Sequence, residues 1–150
     1  MLPSRRWAED AGTATLEFIT AGMILLVPLV YLILTMAAIQ GGALAVEGAA
    51  RQAVRVFVQA PTAQDAAERA ERAIRFALED YGLHVADADI SIECRPEPDA
   101  CLTRLGTVTV TVEMSVSLPL VPGALSPDVP LAVPLRATAS EQVSRFGVAE

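Results

Sequence analysis

The chain has 150 residues, 53% hydrophobic but only 5% aromatic, and a formal net charge of −7. That length allows one ordinary domain, and the shortage of aromatic residues argues against a large aromatic-packed core. The charge is regional: Met1 to Gln59 balances Arg5, Arg6, Arg51 and Arg55 against Glu9, Asp10, Glu17 and Glu47, while Ala60 onward sets seven arginines against fourteen acids. Such an acidic region repels phosphate, which argues against nucleic acid as a partner, and it is held away from anionic lipid headgroups.

No Asp, Glu, Lys or Arg lies between Glu17 and Glu47, and Phe18 to Ile39 is mostly Ile, Leu, Val, Met and Ala. About 20 apolar residues suffice to cross a lipid bilayer as a helix, so a single-pass cell-membrane anchor is predicted. Arg5 and Arg6 favour a cytoplasmic N-terminus and an extracytoplasmic C-terminal domain, although Arg51 and Arg55 beyond the span pull the other way. Pro28 sits mid-span, where a spanning helix tolerates it as a kink. Ala43, Leu44, Ala45, Val46, Ala49, Ala50, Ala53, Val54 and Val58 carry mostly helical spacing onward. Gly41-Gly42 is expected to loosen the helix locally. The prediction is one helix from about Thr13 to Val58, membrane-embedded first and amphipathic afterwards.

After Pro61, Thr62 reads as an N-cap with Asp65 three residues on. Ala66, Ala70, Ala73, Ile74, Ala77, Leu78 and Tyr81 then share one helical face, and Gly82 is the expected stop. Glu68–Arg72 and Glu71–Arg75 have the acid-first spacing that supports a solvated helix face. His84 is read as an ordinary residue at the start of a strand, and Asp87–Asp89 and Glu97–Asp99 as turns. Beyond the helix the period becomes two: Ile90, Ile92 and Cys94, then Val108 to Leu118 on even numbers, then Leu131, Val133, Leu135, Ala137 and Ala139. Pro130 and Pro134 confine the third strand to an edge. The fold class predicted is therefore α+β. A long N-terminal transmembrane helix extends into a small domain with a second helix and a roughly three-stranded antiparallel sheet. So small a sheet domain is marginally stable by itself.

Cys94 and Cys101 are the only cysteines. A disulfide between them would staple a weak domain in an oxidising compartment; two unconnected thiols are the alternative. Two cysteines with a single histidine, His84, make a poor zinc set, and no metal or cofactor is expected. There is no glycine-rich phosphate loop, no nucleophile elbow and no Cys/His pair with an orienting group, so no catalytic residues and no enzyme are expected.

Glu17 begins the apolar run, and ionisable residues at a bilayer edge are costly and usually functional; a well-solvated carboxylate that merely marks the interface is the alternative. The surrounding Asp10-Ala11-Gly12-Thr13-Ala14-Thr15-Leu16-Glu17-Phe18, followed by the span, resembles the processing site of type IV pilin-like proteins, and most closely the TadE-like minor pseudopilins of tight-adherence (Flp) pilus systems. The resemblance extends through the short basic leader, the proline-containing apolar helix, the Ala/Arg-rich extension Ala49 to Arg55 and the small α+β region. The acidic Glu9-Asp10 departs from it, standing where basic residues are more usual. The resemblance implies three segments: a leader peptide 1–12, an assembly helix 13–59 and an extracytoplasmic domain 60–150. It also implies a prepilin peptidase that cuts between Gly12 and Thr13, with Glu17 and Phe18 as assembly residues. Other pilins, pseudopilins and pilus assembly proteins would be partners, within a pilus or secretion pseudopilus. On that reading the ammonium created at Thr13 pairs with the Glu17 carboxylate of a neighbouring chain and fixes axial register. Two other readings stand beside it: a secreted protein whose signal peptide is cut between Ala45 and Val46, and an uncleaved anchor bearing a binding domain. A transporter or channel is unsupported, because the single span is read as having no polar face.

Overall fold

The computed structural model of the protein describes residues 10–119 and 131–146. In chain order the elements are α1 (Asp10–Val58), α2 (Ala63–Glu79), a single 3-10 turn (Val85–Asp87), β1 (Ala88–Arg95), β2 (Thr107–Ser117) and β3 (Ala132–Gln142). The three strands form one antiparallel sheet in the order β1-β2-β3. The architecture is thus α+β, with a long N-terminal apolar helix, a second helix and a three-stranded sheet. The chain divides into two units, Met1–Ala37 and Ala38–Glu150.

Among its described residues the first unit contributes helix alone. Its apolar side chains between Leu16 and Met36 are largely exposed, and the helix continues through Pro28. Residues 1–9 of the expected leader lie outside the described residues.

The second unit holds the core. From α1 it takes Gly42, Ala45, Val46, Ala49, Ala50, Ala53, Val54 and Phe57, all buried. That spacing of three and four residues keeps one helical stripe against the sheet. Ala43 and Leu44, part of the apolar set with mostly helical spacing, are exposed, and Gly42 and Phe57 take core positions. The glycine pair does not loosen the helix. A Cβ on Gly42 would stand 2.7 Å from Val116 Cγ2 and 2.8 Å from Leu135 Cδ1, so the glycine admits close approach of β2 and β3.

Helix α2 adds Ala66, Ala70, Ile74 and Leu78 at intervals of four. It starts where the Asp65 N–H donates to Thr62 Oγ1 at 3.1 Å, while the Thr62 hydroxyl donates to the Asp65 carboxylate at 3.1 Å. It stops as expected at Gly82, whose φ of +70° suits a residue without a Cβ. There the Leu83 N–H reaches the Leu78 carbonyl at 3.0 Å and the Gly82 N–H reaches Glu79 at 2.9 Å, a Schellman closure. Tyr81, expected on the buried face, lies past the end of α2 and is exposed, because the chain has already turned out of the helix. His84 precedes the 3-10 turn rather than opening a strand, and Asp89 lies in β1 rather than in a turn.

Strand β2 is central, and Val108, Val110, Val112, Met114 and Val116 fill its inner face. In register, Ile90 and Cys94 of β1 lie opposite Val112 and Val108, and Leu135, Ala137 and Ala139 of β3 lie opposite Met114, Val112 and Val110. As predicted, β3 occupies an edge, with Pro134 opposite Ser115. Pro130 falls outside the described residues.

Candidate functional site

The N-terminal part of α1 is the first candidate. The large aliphatic and aromatic side chains Leu16, Phe18, Ile19, Met23, Ile24, Leu25, Leu26 and onward to Met36 are each exposed by two-fifths or more, Tyr31 excepted. Left in water, so continuous an apolar surface would associate or aggregate. The helix is long and apolar enough to cross a membrane, and none of its most apolar window is buried. Pro28 fits the same setting, since in water it would cost a helix interior about 3 kcal/mol.

The sequence-predicted residues take up positions along that helix. Gly12 and Thr13 lie near the N-terminal end of the described part of α1. Glu17 and Phe18 follow one turn later, both exposed. Among the described residues Glu17 has no hydrogen bond or ion pair, whereas Glu47 pairs with Arg51, Glu68 with Arg72, Glu71 with Arg75 and Glu113 with Arg136. Glu17 is therefore a carboxylate at the head of an apolar stretch with no partner among the described residues to offset it.

Cys94 and Cys101 are joined as a disulfide. Cys94 is buried at the end of β1 and Cys101 lies half-buried in the connection to β2, so the bond ties that connection to the sheet. Gly106 closes the same connection tightly: a Cβ there would stand 2.9 Å from the Thr103 carbonyl and 3.2 Å from that of Arg95. Its neighbour Leu105 is held at a φ of +63°, a left-handed conformation uncommon outside glycine and asparagine.

The outer face of the sheet is polar. Thr109 and Ser140 share a hydrogen bond of 2.8 Å, Thr111 and Thr138 one of 3.0 Å, and Arg136 meets Glu113 at 3.2 Å. An open groove there is bordered by Asp87, Asp89, Glu113 and Arg136. Among the described residues no cluster of three or more His, Cys, Asp or Glu is placed to hold a metal ion. Sequence periodicity located the threonines but not their partners, which are set by a β2–β3 register that joins residues 27 and 31 positions apart.

Comparison with protein-family models, with curated proteins and with solved structures gave no match to this chain.

Proposed function

We propose that the chain is a pilin-like assembly subunit of the TadE-like, tight-adherence kind. In this reading it is cut after Gly12 by a prepilin peptidase and anchored in the cell membrane by α1, with its N-terminus cytoplasmic and its acidic domain extracytoplasmic. It would join or prime a pilus or secretion pseudopilus through that helix, with other pilins and assembly proteins as partners, and perform no catalysis. The observation that carries the reading is Glu17: a carboxylate without a partner among the described residues, at the start of an exposed apolar helix. An isolated carboxylate and an isolated ammonium are both unfavourable in such surroundings, and pairing them between neighbouring chains offsets both. The Cys94–Cys101 disulfide supports an oxidising, extracytoplasmic location for the distal unit.

Packing argues against a conventional signal peptide cut between Ala45 and Val46. Both residues are 1% exposed, within the stripe of α1 that covers the sheet. That cut would strip Gly42 and Ala45 from the core and place a new ammonium at a buried position, which is unfavourable without a partner.

N-terminal sequencing of the protein from its native membrane fraction tests the proposal. A chain beginning at Thr13 upholds it. One beginning at Val46 or an intact Met1 overturns it. Glu17→Ala is expected to leave insertion and cleavage intact while reducing co-purification with other pilins; undiminished co-purification would sink the pairing.

A further inference from the structure

The span, expected to lack a polar face, has one. Between Glu17 and Ala37 the only other polar side chains are Thr20, Tyr31 and Thr35. Thr35 follows Glu17 by 18 residues, which is five whole turns at about 3.6 residues per turn, so the two point the same way. Thr13 and Tyr31 lie about 40°, and Thr20 about 60°, to one side of them at about 100° per residue. Every polar group of the span thus falls in a sector of about 60°, while residues such as Leu29 and Ile33 lie on the far side. Thr35 and Tyr31 are half-buried, and Thr35 Oγ1 is a buried hydroxyl with no hydrogen-bond partner. A hydroxyl in an apolar medium is costly unless bonded, and polar residues of spanning helices face other helices rather than lipid.

We infer that this stripe is the contact face for a second copy of the chain, lying parallel and displaced along the axis by four residues. The inference rests on the proposed function for its first contact, between Glu17 and the Thr13 ammonium of the neighbour. The displacement that brings Glu17 level with the neighbour's Thr13 also brings Thr35 level with the neighbour's Tyr31, since both pairs are four residues apart. One shift of about 6 Å, four residues at 1.5 Å each, thus serves a charge pair at the head of the span and a hydroxyl pair near its end. A hydroxyl both donates and accepts, so the orphaned Thr35 Oγ1 gains a partner whichever way the protons point. Two contacts separated along the axis specify register as well as proximity, which a lone carboxylate does not.

The test uses the full chain in bilayers of native lipid, with the Cys94–Cys101 pair left in place. Chains carrying Tyr31→Cys are co-expressed with chains carrying Thr35→Cys and oxidised in the membrane. As a control, Leu29→Cys is paired with Ile33→Cys, the same separation on the opposite face. The 31-to-35 product is expected to exceed both the 29-to-33 product and the 31-to-31 product. In uncrosslinked chains, Tyr31→Phe with Thr35→Val is expected to weaken self-association about threefold to tenfold. Equal yields on the two faces, a dominant 31-to-31 product, or no product between copies would each overturn the inference. N-terminal sequencing of the same sample separates the two claims. A Thr13 start without the 31-to-35 product sinks this contact and spares the proposed function. A Met1 start with that product does the reverse.

Discussion

Residues 13–37 and 38–58 are successive parts of one helix, α1, and they are made of different material. The first part is rich in Leu, Ile, Val and Met that no other described residue covers; Ile24 is 69% exposed and Leu25 71%. The second is rich in alanine and glycine, with one stripe almost wholly covered by the sheet and α2. Side-chain size tracks what the helix meets. Small residues let a sheet approach closely, as at Gly42, while bulky apolar ones suit an apolar surrounding such as lipid. The comparison teaches that helix-wide hydrophobicity is a poor guide to burial within a chain. The pattern of size and of charge along the helix is a better one.

Placing the same charge in each part gives the largest contrast. Val54, 1% exposed, and Val27, 59% exposed, can each be changed to aspartate. Val54→Asp puts an unpaired carboxylate into the core and is expected to abolish cooperative unfolding of the distal unit, because burying such a group costs several kcal/mol. Val27→Asp is expected to leave the unfolding midpoint in detergent unchanged, yet to weaken bilayer insertion by about 3 kcal/mol. Circular dichroism and carbonate extraction read the two effects separately. Equal loss of domain stability in both variants would break the contrast.

Opening the disulfide comes next. Replacing Cys94 and Cys101 by serine removes a cross-link spanning a separation of seven residues. Loop-closure entropy puts the loss at about 2–3 kcal/mol, expected as a lower denaturant midpoint for the distal unit and no change in membrane retention.

The smallest effect is also the most discriminating, because it changes sign within α1. Gly42→Ala pushes a methyl group against Val116 and Leu135 and is expected to cost about 1–3 kcal/mol. Gly48→Ala meets nothing within 4 Å and is expected to gain up to about 1 kcal/mol from helix propensity. Thermal melting of the two variants measures the difference, and a gain at both positions would show that the close approach at Gly42 carries no constraint.

The elements were legible because their periods are local. Intervals of four from Ala66 to Leu78 and of two from Val108 to Val116 depend only on neighbours in sequence, and so do the Thr62 cap and the Gly82 stop. Pro134 made β3 an edge strand by its missing N–H alone. What stayed hidden depended on surfaces brought together from afar. Gly41-Gly42 reads as a weak point until Val116 and Leu135 stand against it. Thr111 reads as a solvent-facing residue until Thr138 arrives in register and it becomes buried. At the candidate site Glu17 was conspicuous as the first charge of a long uncharged run. The hydroxyl stripe behind it was present in the spacing but needed a helix with one continuous phase through Pro28 to be seen.

The sheet's two edges bear on how such chains behave when crowded. An open strand edge offers unpaired N–H and C=O groups to any passing strand, and proteins blunt it with charge or proline. Here β1 carries exposed Asp89, Glu93 and Arg95 along its length, and β3 carries Pro134 within its run. Adding a further strand on the β1 side would crowd that charged row, and on the β3 side it would meet a residue that lacks an N–H. Neither edge of this sheet therefore favours zipping into a continuous ribbon, even where molecules are crowded into one plane.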